Sequence, residues 1–116
     1  MYKRQGSHHP LGAKALNEYL NTLDCKKHLI LGMMSNKDHE EYISHFNNIS
    51  SITTIDIPNQ PNAIKGEELK KKLNKYPSVS YKKSIEEALN SLNSEKDDLI
   101  MITGSLYLAG ELLNLN

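Results

Sequence analysis

Two short predicted turns contain the residues whose types and spacing are best suited to ligand binding or catalysis. The first turn contains Gly6, His8 and His9 and follows a predicted strand. A neutral imidazole at such a turn can hydrogen-bond a ribose, a carboxylate or a phosphate oxygen, and the alternative is a solvent-exposed turn histidine. Adjacent histidines point in different directions and no Cys, Asp or Glu stands at ligand spacing, so we expect no zinc site.

The second turn contains Thr103, Gly104 and Ser105 and follows the unbroken apolar run Leu99–Ile102. Such a run is typical of a strand that is covered on both faces. Helical spacing of apolar residues then predicts a helix through Leu106, Ala109, Leu112 and Leu113. A strand, a tight turn and a helix N-terminus would present free N–H groups where open α/β sheets bind anions. The alternative is a closing βα unit that only fills the core.

Alternating strands and helices must position these two turns. Further strands are predicted over residues 28–34, 51–57 and 79–81, with the end of another before Gly6. Apolar spacing predicts four helices between them, with inward faces at Leu16, Tyr19, Leu20 and Leu23; at Tyr42, Ile43, Phe46 and Ile49; at Leu69 and Leu73; and at Ile85, Ala88, Leu89 and Leu92. Ser35 with Asp38 resembles a capping arrangement, and Ser84 with Glu87 is a well-formed capping box. The pattern predicts a three-layer α/β/α domain with a mostly parallel sheet.

Composition limits the classes of function. A chain of 116 residues is long enough for one domain with a real core. The 14 basic and 14 acidic residues balance, so nothing indicates a nucleic-acid groove or a membrane surface. The N-terminus is polar and has no signal-peptide pattern. Because the single Cys25 cannot form an internal disulfide, we expect a reducing cytoplasm.

Two other site types are excluded by spacing. Gly6 and Gly12 have five residues between them, and Lys14 lies two residues after Gly12, so this segment is not a phosphate loop. No Gly-x-Gly-x-x-Gly follows a strand, so the domain has no nucleotide-cradling loop of its own. A receiver-type signalling domain would need an acidic cluster at strand ends, and the chain offers only Asp56 and the distant Asp98.

Five motifs occur in one order along the chain: Gly6–Ala13, Ile30–Asp38, Ile57–Ile64, Ser84–Leu89 and Ile102–Glu111. Together they resemble the C-terminal domain of bacterial folylpolyglutamate synthase/dihydrofolate synthase, in the Mur ligase superfamily. The resemblance extends from about Gln5 to Leu113, and its most specific motif is the last one.

The resemblance implies a Rossmann-like domain of an ATP-dependent ligase. Such a ligase joins glutamate to a folate or pteroate carboxylate through an acyl phosphate that the glutamate amine attacks. ATP and Mg²⁺ are held mainly by a preceding central domain. The C-terminal domain closes over the cleft, which excludes water from the acyl phosphate and aligns the amine.

The resemblance also assigns individual residues to the nucleotide side or to the glutamate side of the ligase site. Gly6, His8 and His9 fall on the nucleotide side, where His8 matches the family's histidine, His9 replaces its asparagine and Gln5 replaces its aspartate. Gly104 and Ser105 match the turn on the glutamate side. Lys37, with Asp38, matches the family's Lys-Asp pair, although a helix cap beside an exposed lysine is an equal alternative. No catalytic residue and no metal ligand is assigned.

We expect this chain to be inactive alone as a ligase, since the ATP-binding central domain is absent and the first strand is short and polar. It would then be a fragmentary reading frame, a piece cut from a longer chain, or one half of a split enzyme whose partner is a separately encoded N-terminal half. The competing class is a non-enzymatic remnant, or a small module that binds glutamate or a nucleotide. A remnant without its first strand should melt at low temperature.

Overall fold

The computed structural model describes residues 2–5, 13–76, 78–92, 98–104 and 112–115. Within these ranges, no helix is long and apolar enough to cross a lipid bilayer. The strands and helices follow one another as β1 (Tyr2–Gln5), α1 (Ala13–Leu20), β2 (Lys27–Leu31), α2 (His39–Ser44), β3 (Ser51–Thr54), α3 (Gly66–Lys72), β4 (Val79–Tyr81), α4 (Ile85–Ser91), β5 (Leu99–Thr103) and β6 (Leu112–Leu115).

The strands form one sheet in the order β1-β6-β5-β2-β3-β4. Strands β5, β2, β3 and β4 are parallel, and β6 lies antiparallel between β1 and β5. Strand β1 therefore runs in the same direction as the four parallel strands and ends at the same edge of the sheet. The prediction of an α/β fold with a mostly parallel sheet is confirmed.

The end of the chain differs from the sequence prediction. Leu112 and Leu113 belong to β6, so the prediction that they continue a helix is wrong; Leu106 and Ala109 lie outside the described residues. A short apolar run does not by itself distinguish a helix from a strand. Here the run fills the space between β1 and β5, and both of these strands gain a ladder partner.

The first strand is formed over Tyr2–Gln5 and pairs with β6 along its whole length. The expectation of a low melting temperature rested on a missing first strand, and that premise is wrong. At four residues, it is as long as β3 and β6.

Helices cover both faces of the sheet, as predicted. On β2 and β5, side chains alternate between the two faces, because successive residues of a strand point to opposite sides. Leu29, Leu31 and Met101 pack in one core cluster with residues of α1, α2 and α3. Ile30 and Ile100 pack in a second cluster with α4. The central strands β2 and β5 are therefore buried on both faces, which explains their largely apolar sequences.

The inward faces of the later helices are mostly as predicted. Leu69 and Leu73 are fully buried, and Ala88 is the buried residue of α4. The Ser84 cap of the predicted capping box is present, because the Glu87 N–H donates to Ser84 Oγ over 3.1 Å. The strand predicted over 51–57 ends earlier, at Thr54.

Two predictions on the earlier helices are wrong. Tyr19 is 42% exposed, because the buried stripe of α1 runs through Ala13, Leu16, Asn17 and Leu20. Asn17 takes an inward position since its Oδ1 accepts the backbone N–H of Asn47. The N-cap of α2 is Asp38 and not Ser35.

Candidate functional site

The strand order creates a crevice between β2 and β5. From β2 the chain continues outward to β3 and β4, whereas β5 returns to the other side of β2. The loops that leave β2 and β5 therefore diverge, and such a switch point at the carboxyl ends of parallel strands is where open α/β sheets bind ligands. Leu31 and Thr103 are register partners, so Gly32 and Gly104 follow the two strands at the same level.

The backbone conformation and the surroundings of Gly104 favour glycine over every other residue. Its φ is 107°, in the region that L side chains rarely adopt. A Cβ at this position would lie 2.5 Å from the Gly32 carbonyl oxygen and 2.7 Å from Leu31 Cδ1. The Gly32 N–H also donates to the Thr103 carbonyl over 3.2 Å. The backbones after β2 and β5 are thus in direct contact at the crevice.

Tyr42 of α2 supports this turn from the side of the first core cluster. Its hydroxyl lies 2.6 Å from Thr103 Oγ1. Its ring packs against Phe46, with ring centroids 5.7 Å apart. Burial raises the pKa of the Tyr42 hydroxyl, and the hydrogen bonds to Thr103 and Gly104 oppose this rise only in part. The hydroxyl therefore stays protonated at neutral pH.

Lys37 lies on the loop after β2, at the same sheet edge as Gly104, and its side chain is exposed. Asp38 follows as the N-cap of α2, and its Oδ1 accepts the Glu41 N–H over 3.1 Å. This cap fixes the point where the loop becomes a helix. It also fits the alternative in which the pair is a helix cap beside an exposed lysine.

Two polar contacts hold the loop that carries Lys37. The Asn62 carbonyl accepts both the backbone N–H and the hydroxyl of Ser35, at 2.8 Å each. The His39 Nε2–H donates to the Met34 carbonyl over 2.9 Å, and His39 itself is buried. The loops after β2 and β3 are therefore joined.

A groove of about 670 Å³ opens farther along the same edge, between the loop after β3, helix α3 and strand β4. At its base, Asp56 accepts the Tyr81 hydroxyl over 2.6 Å and the Gly66 N–H over 2.8 Å. The hydrogen bond to Asp56 is the main cause that raises the pKa of Tyr81 to about 12. A Cβ at Gly66 would lie 2.5 Å from Tyr81 Cε1, so the small residue lets the ring lie against α3.

The opposite, amino edge of the sheet holds a buried Ser-His-Asp contact that the sequence did not reveal. His28 Nε2 lies 2.9 Å from Asp98 Oδ2, and Nδ1 lies 2.7 Å from Ser51 Oγ. A carboxylate only accepts, so Nε2–H donates to Asp98, and in the neutral imidazole Nδ1 then accepts the Ser51 hydroxyl proton. In a serine hydrolase the serine lies at Nε2 of the histidine, whereas Ser51 lies at Nδ1 of His28. Here the three side chains join the starts of β2, β3 and β5.

Gly104 and Lys37 lie at the same edge of the sheet. Gly6, His8, His9 and Ser105 lie outside the described residues, although β1 ends at Gln5 on this same edge. In the described part of the chain, no group of three or more His, Cys, Asp or Glu side chains could hold a metal ion.

Comparison with known families defines the class of protein. Residues 5–106 match the profile of the Mur ligase glutamate ligase domain, so the chain belongs to that family. A search of curated proteins found no significant match to the chain.

Among solved structures, the fold matches that of folylpolyglutamate synthases. The enzyme from Thermotoga maritima is 24% identical and superimposes with a TM-score of 0.71, over 91% of this chain and 25% of that one. The Mycobacterium tuberculosis enzyme, solved with ADP and AMPPCP, is 21% identical with a TM-score of 0.73, over 91% of this chain and 27% of that one. The chain thus spans about a quarter of the length of these proteins. At the level of fold, the resemblance to the C-terminal domain of folylpolyglutamate synthase is confirmed.

Proposed function

We propose that this chain acts as the C-terminal domain of an ATP-dependent ligase of the folylpolyglutamate synthase/dihydrofolate synthase type. The observation that carries the proposal is the turn at the switch point, where Gly104 contacts Gly32 in a conformation that only glycine suits. Family membership gives this turn a ligand class, because the matched profile is that of a glutamate ligase domain.

The proposed reaction adds glutamate to folate or dihydropteroate in two steps. The γ-phosphate of ATP is transferred to the folate or pteroate carboxylate, which gives an acyl phosphate and ADP. The glutamate amine then attacks the acyl carbon, an amide forms, phosphate leaves and the amine loses a proton. This chain would bind and orient the incoming glutamate and exclude water from the acyl phosphate, and none of its own side chains is proposed to form a covalent bond.

The glutamate side of the site consists of Gly104, Ser105 and Lys37. The Lys37 ammonium is exposed on the crevice edge, where it can pair with a glutamate carboxylate. The nucleotide side consists of Gly6, His8 and His9. Solved relatives support a nucleotide in the complete enzyme, since the Mycobacterium tuberculosis protein was crystallised with ADP.

ATP and Mg²⁺ would be held mainly by a domain other than this one. The described residues offer no metal-binding group, and the 116-residue sequence has no phosphate loop. The isolated chain is therefore proposed to lack ligase activity, and a separately encoded N-terminal half is its proposed partner. The balanced charge supports neither a nucleic acid nor a membrane as a partner, and the single Cys25 supports a reducing cytoplasm.

Titration of the ¹⁵N-labelled chain with L-glutamate tests the binding side of the proposal. Amide resonances of Gly104 and of the loop that carries Lys37 should shift in a saturable way. Lys37→Ala should weaken binding by about tenfold, the effect of losing about 1.4 kcal/mol from one charge pair. Lys65→Ala is the matched control, because Lys65 is also exposed at this edge but belongs to the loop after β3. Equal affinities of the two variants would contradict the role of Lys37.

A ligation assay tests the rest of the proposal. The purified chain with ATP, Mg²⁺, glutamate and dihydropteroate should show no turnover, and adding a separately expressed N-terminal half should restore it. Turnover by the chain alone would contradict the proposed dependence on another domain. If the chain binds neither glutamate nor ATP and no N-terminal half restores activity, it is a non-enzymatic remnant.

A further inference from the structure

We propose that Tyr42 is a positioning residue for the glutamate-side turn, and that its hydroxyl holds Thr103 and Gly104 in the geometry that binds the ligand. The inference rests on the proposed function and adds a residue that lies on a different element, 61 positions earlier in the sequence than Thr103. Tyr42 is not proposed to touch the substrate.

The first argument is the location of the hydroxyl. It reaches Thr103 Oγ1 at 2.6 Å. Thr103 is only 4% exposed, so solvent is a poor substitute for the Tyr42 hydroxyl as its partner. The hydroxyl therefore holds the residue directly before Gly104.

The second argument is the conformation that this oxygen supports. Gly104 has a φ of 107°, and it has no side chain to restrict its rotation, so contacts from neighbouring residues must fix the direction of the turn. A ligand that binds the N–H groups of such a turn requires their directions to be fixed before it arrives. A phenylalanine at position 42 would fill nearly the same space but would not fix these directions.

The third argument is that α2 links the two parts of the glutamate side. The Tyr42 N–H donates to the Asp38 carbonyl over 3.1 Å, so the tyrosine lies one helical turn after the cap that follows Lys37. At its other end, the Tyr42 side chain holds the Thr103–Gly104 turn. One short helix thereby sets the position of the Lys37 loop relative to the turn.

The test compares Tyr42→Phe with Tyr76→Phe in the full chain. Both changes remove one hydroxyl, and Tyr76 packs against the same core cluster, but among the described residues its hydroxyl has no contact with the turn. In Tyr42→Phe, the Gly104 amide and Cα resonances should move, and the Kd for L-glutamate should rise about fivefold, as expected for the loss of one hydrogen bond that orients the site. Tyr76→Phe should leave the Gly104 resonances and the Kd unchanged.

A second variant separates positioning from general loosening. Thr103→Val removes the other hydroxyl, and the double variant should bind glutamate no more weakly than Tyr42→Phe, because the tyrosine change already breaks the hydrogen bond that Thr103 makes. Additive effects, or a Kd in Tyr42→Phe equal to that of the unaltered chain, would overturn the proposal and leave the proposed function standing.

The two proposals can fail separately. If the unaltered chain does not bind glutamate, the glutamate side of the proposed function fails. The resonances of Gly104 then decide the positioning role alone: a change in Tyr42→Phe supports it, and unchanged amide and Cα shifts overturn it.

Discussion

The two edges of the parallel sheet hold their polar groups in different ways. At the amino edge, His28, Ser51 and Asp98 satisfy one another at 2.7 and 2.9 Å, and the histidine and aspartate are at most 7% exposed. At the carboxyl edge, a glycine with a φ of 107° contacts another glycine backbone, and a lysine stands exposed on the next loop.

The difference indicates that the two edges of the sheet have different roles. A buried polar network with all its members paired contributes to the stability of one fold and offers nothing to a ligand. A glycine at positive φ lets two backbones approach closely, and exposed loops at the ends of strands are typical of sites where another molecule binds. The amino edge should therefore control unfolding, and the carboxyl edge should control glutamate binding.

The largest effect on stability is expected at the amino edge. His28→Ala removes a hydrogen-bond partner from the buried Asp98 carboxylate and from Ser51, so the free energy of unfolding should fall by about 3 kcal/mol. Urea denaturation would measure the loss. Glutamate affinity of the folded protein should not change, because the contact lies at the opposite edge from Gly104.

Asp98→Asn is the milder control for this change. Its amide oxygen can still accept the Nε2–H of His28, so the loss should be smaller than that of His28→Ala. A loss below about 1 kcal/mol in His28→Ala, or a weaker Kd for glutamate at full folding, would remove the distinction between the edges.

Gly104→Ala should reduce both stability and binding. A Cβ would lie 2.5 Å from the Gly32 carbonyl oxygen, and alanine disfavours a φ of 107°. Together these should cost about 2 kcal/mol, and glutamate binding should be lost. Gly66→Ala is the matched control, since its Cβ would meet Tyr81 at 2.5 Å; it should lower stability without loss of binding. Binding by Gly104→Ala with unchanged affinity would show that the turn is only structural.

Two helix caps at the carboxyl edge provide a smaller test. Asp38→Ala and Ser84→Ala each remove an oxygen that accepts a backbone N–H at 3.1 Å. Each should cost about 1 kcal/mol of unfolding free energy. Only Asp38→Ala should also weaken glutamate binding, because only that cap borders Lys37. A similar change in affinity for both variants would mean that they act through stability alone.

The parts of the fold that the sequence predicted correctly have local signals. The apolar runs of β2 and β5, the buried Leu69 and Leu73 and the Ser84 cap all follow from residues within one or two turns of each other. The chain end was mispredicted because Leu112–Leu115 becomes a strand through its pairing with β1 and β5, and β1 lies far from it in sequence.

The residues of the candidate site also differ in whether a local sequence signal predicts them. Gly104 and Lys37 could be assigned from short motifs, since each motif is continuous in sequence. The bonds from Tyr42 to Thr103 and from His28 to Asp98 join residues 61 and 70 positions apart, and no local pattern indicates them. From the sequence, Tyr42 was predicted only as an inward-facing residue of a helix. Helical spacing predicts that its ring is buried, but it does not predict which residue its hydroxyl contacts.

The smallest expected effect is an alkaline dependence that belongs to the carboxyl edge. The hydrogen bond to Asp56 raises the pKa of Tyr81 to about 12, and the unfolded chain should titrate near the ordinary value of 10.0. The folded state then holds its proton more tightly, so this contribution is complete below pH 10 and is lost as the pH rises toward 12. Solvent screens the bond, so the loss should not exceed about 1 kcal/mol. Urea denaturation between these pH values should give a shallower decline for Tyr81→Phe than for the unaltered chain. An identical decline in both would show that the Asp56–Tyr81 contact does not persist in solution, and the groove would then lose its rigid base.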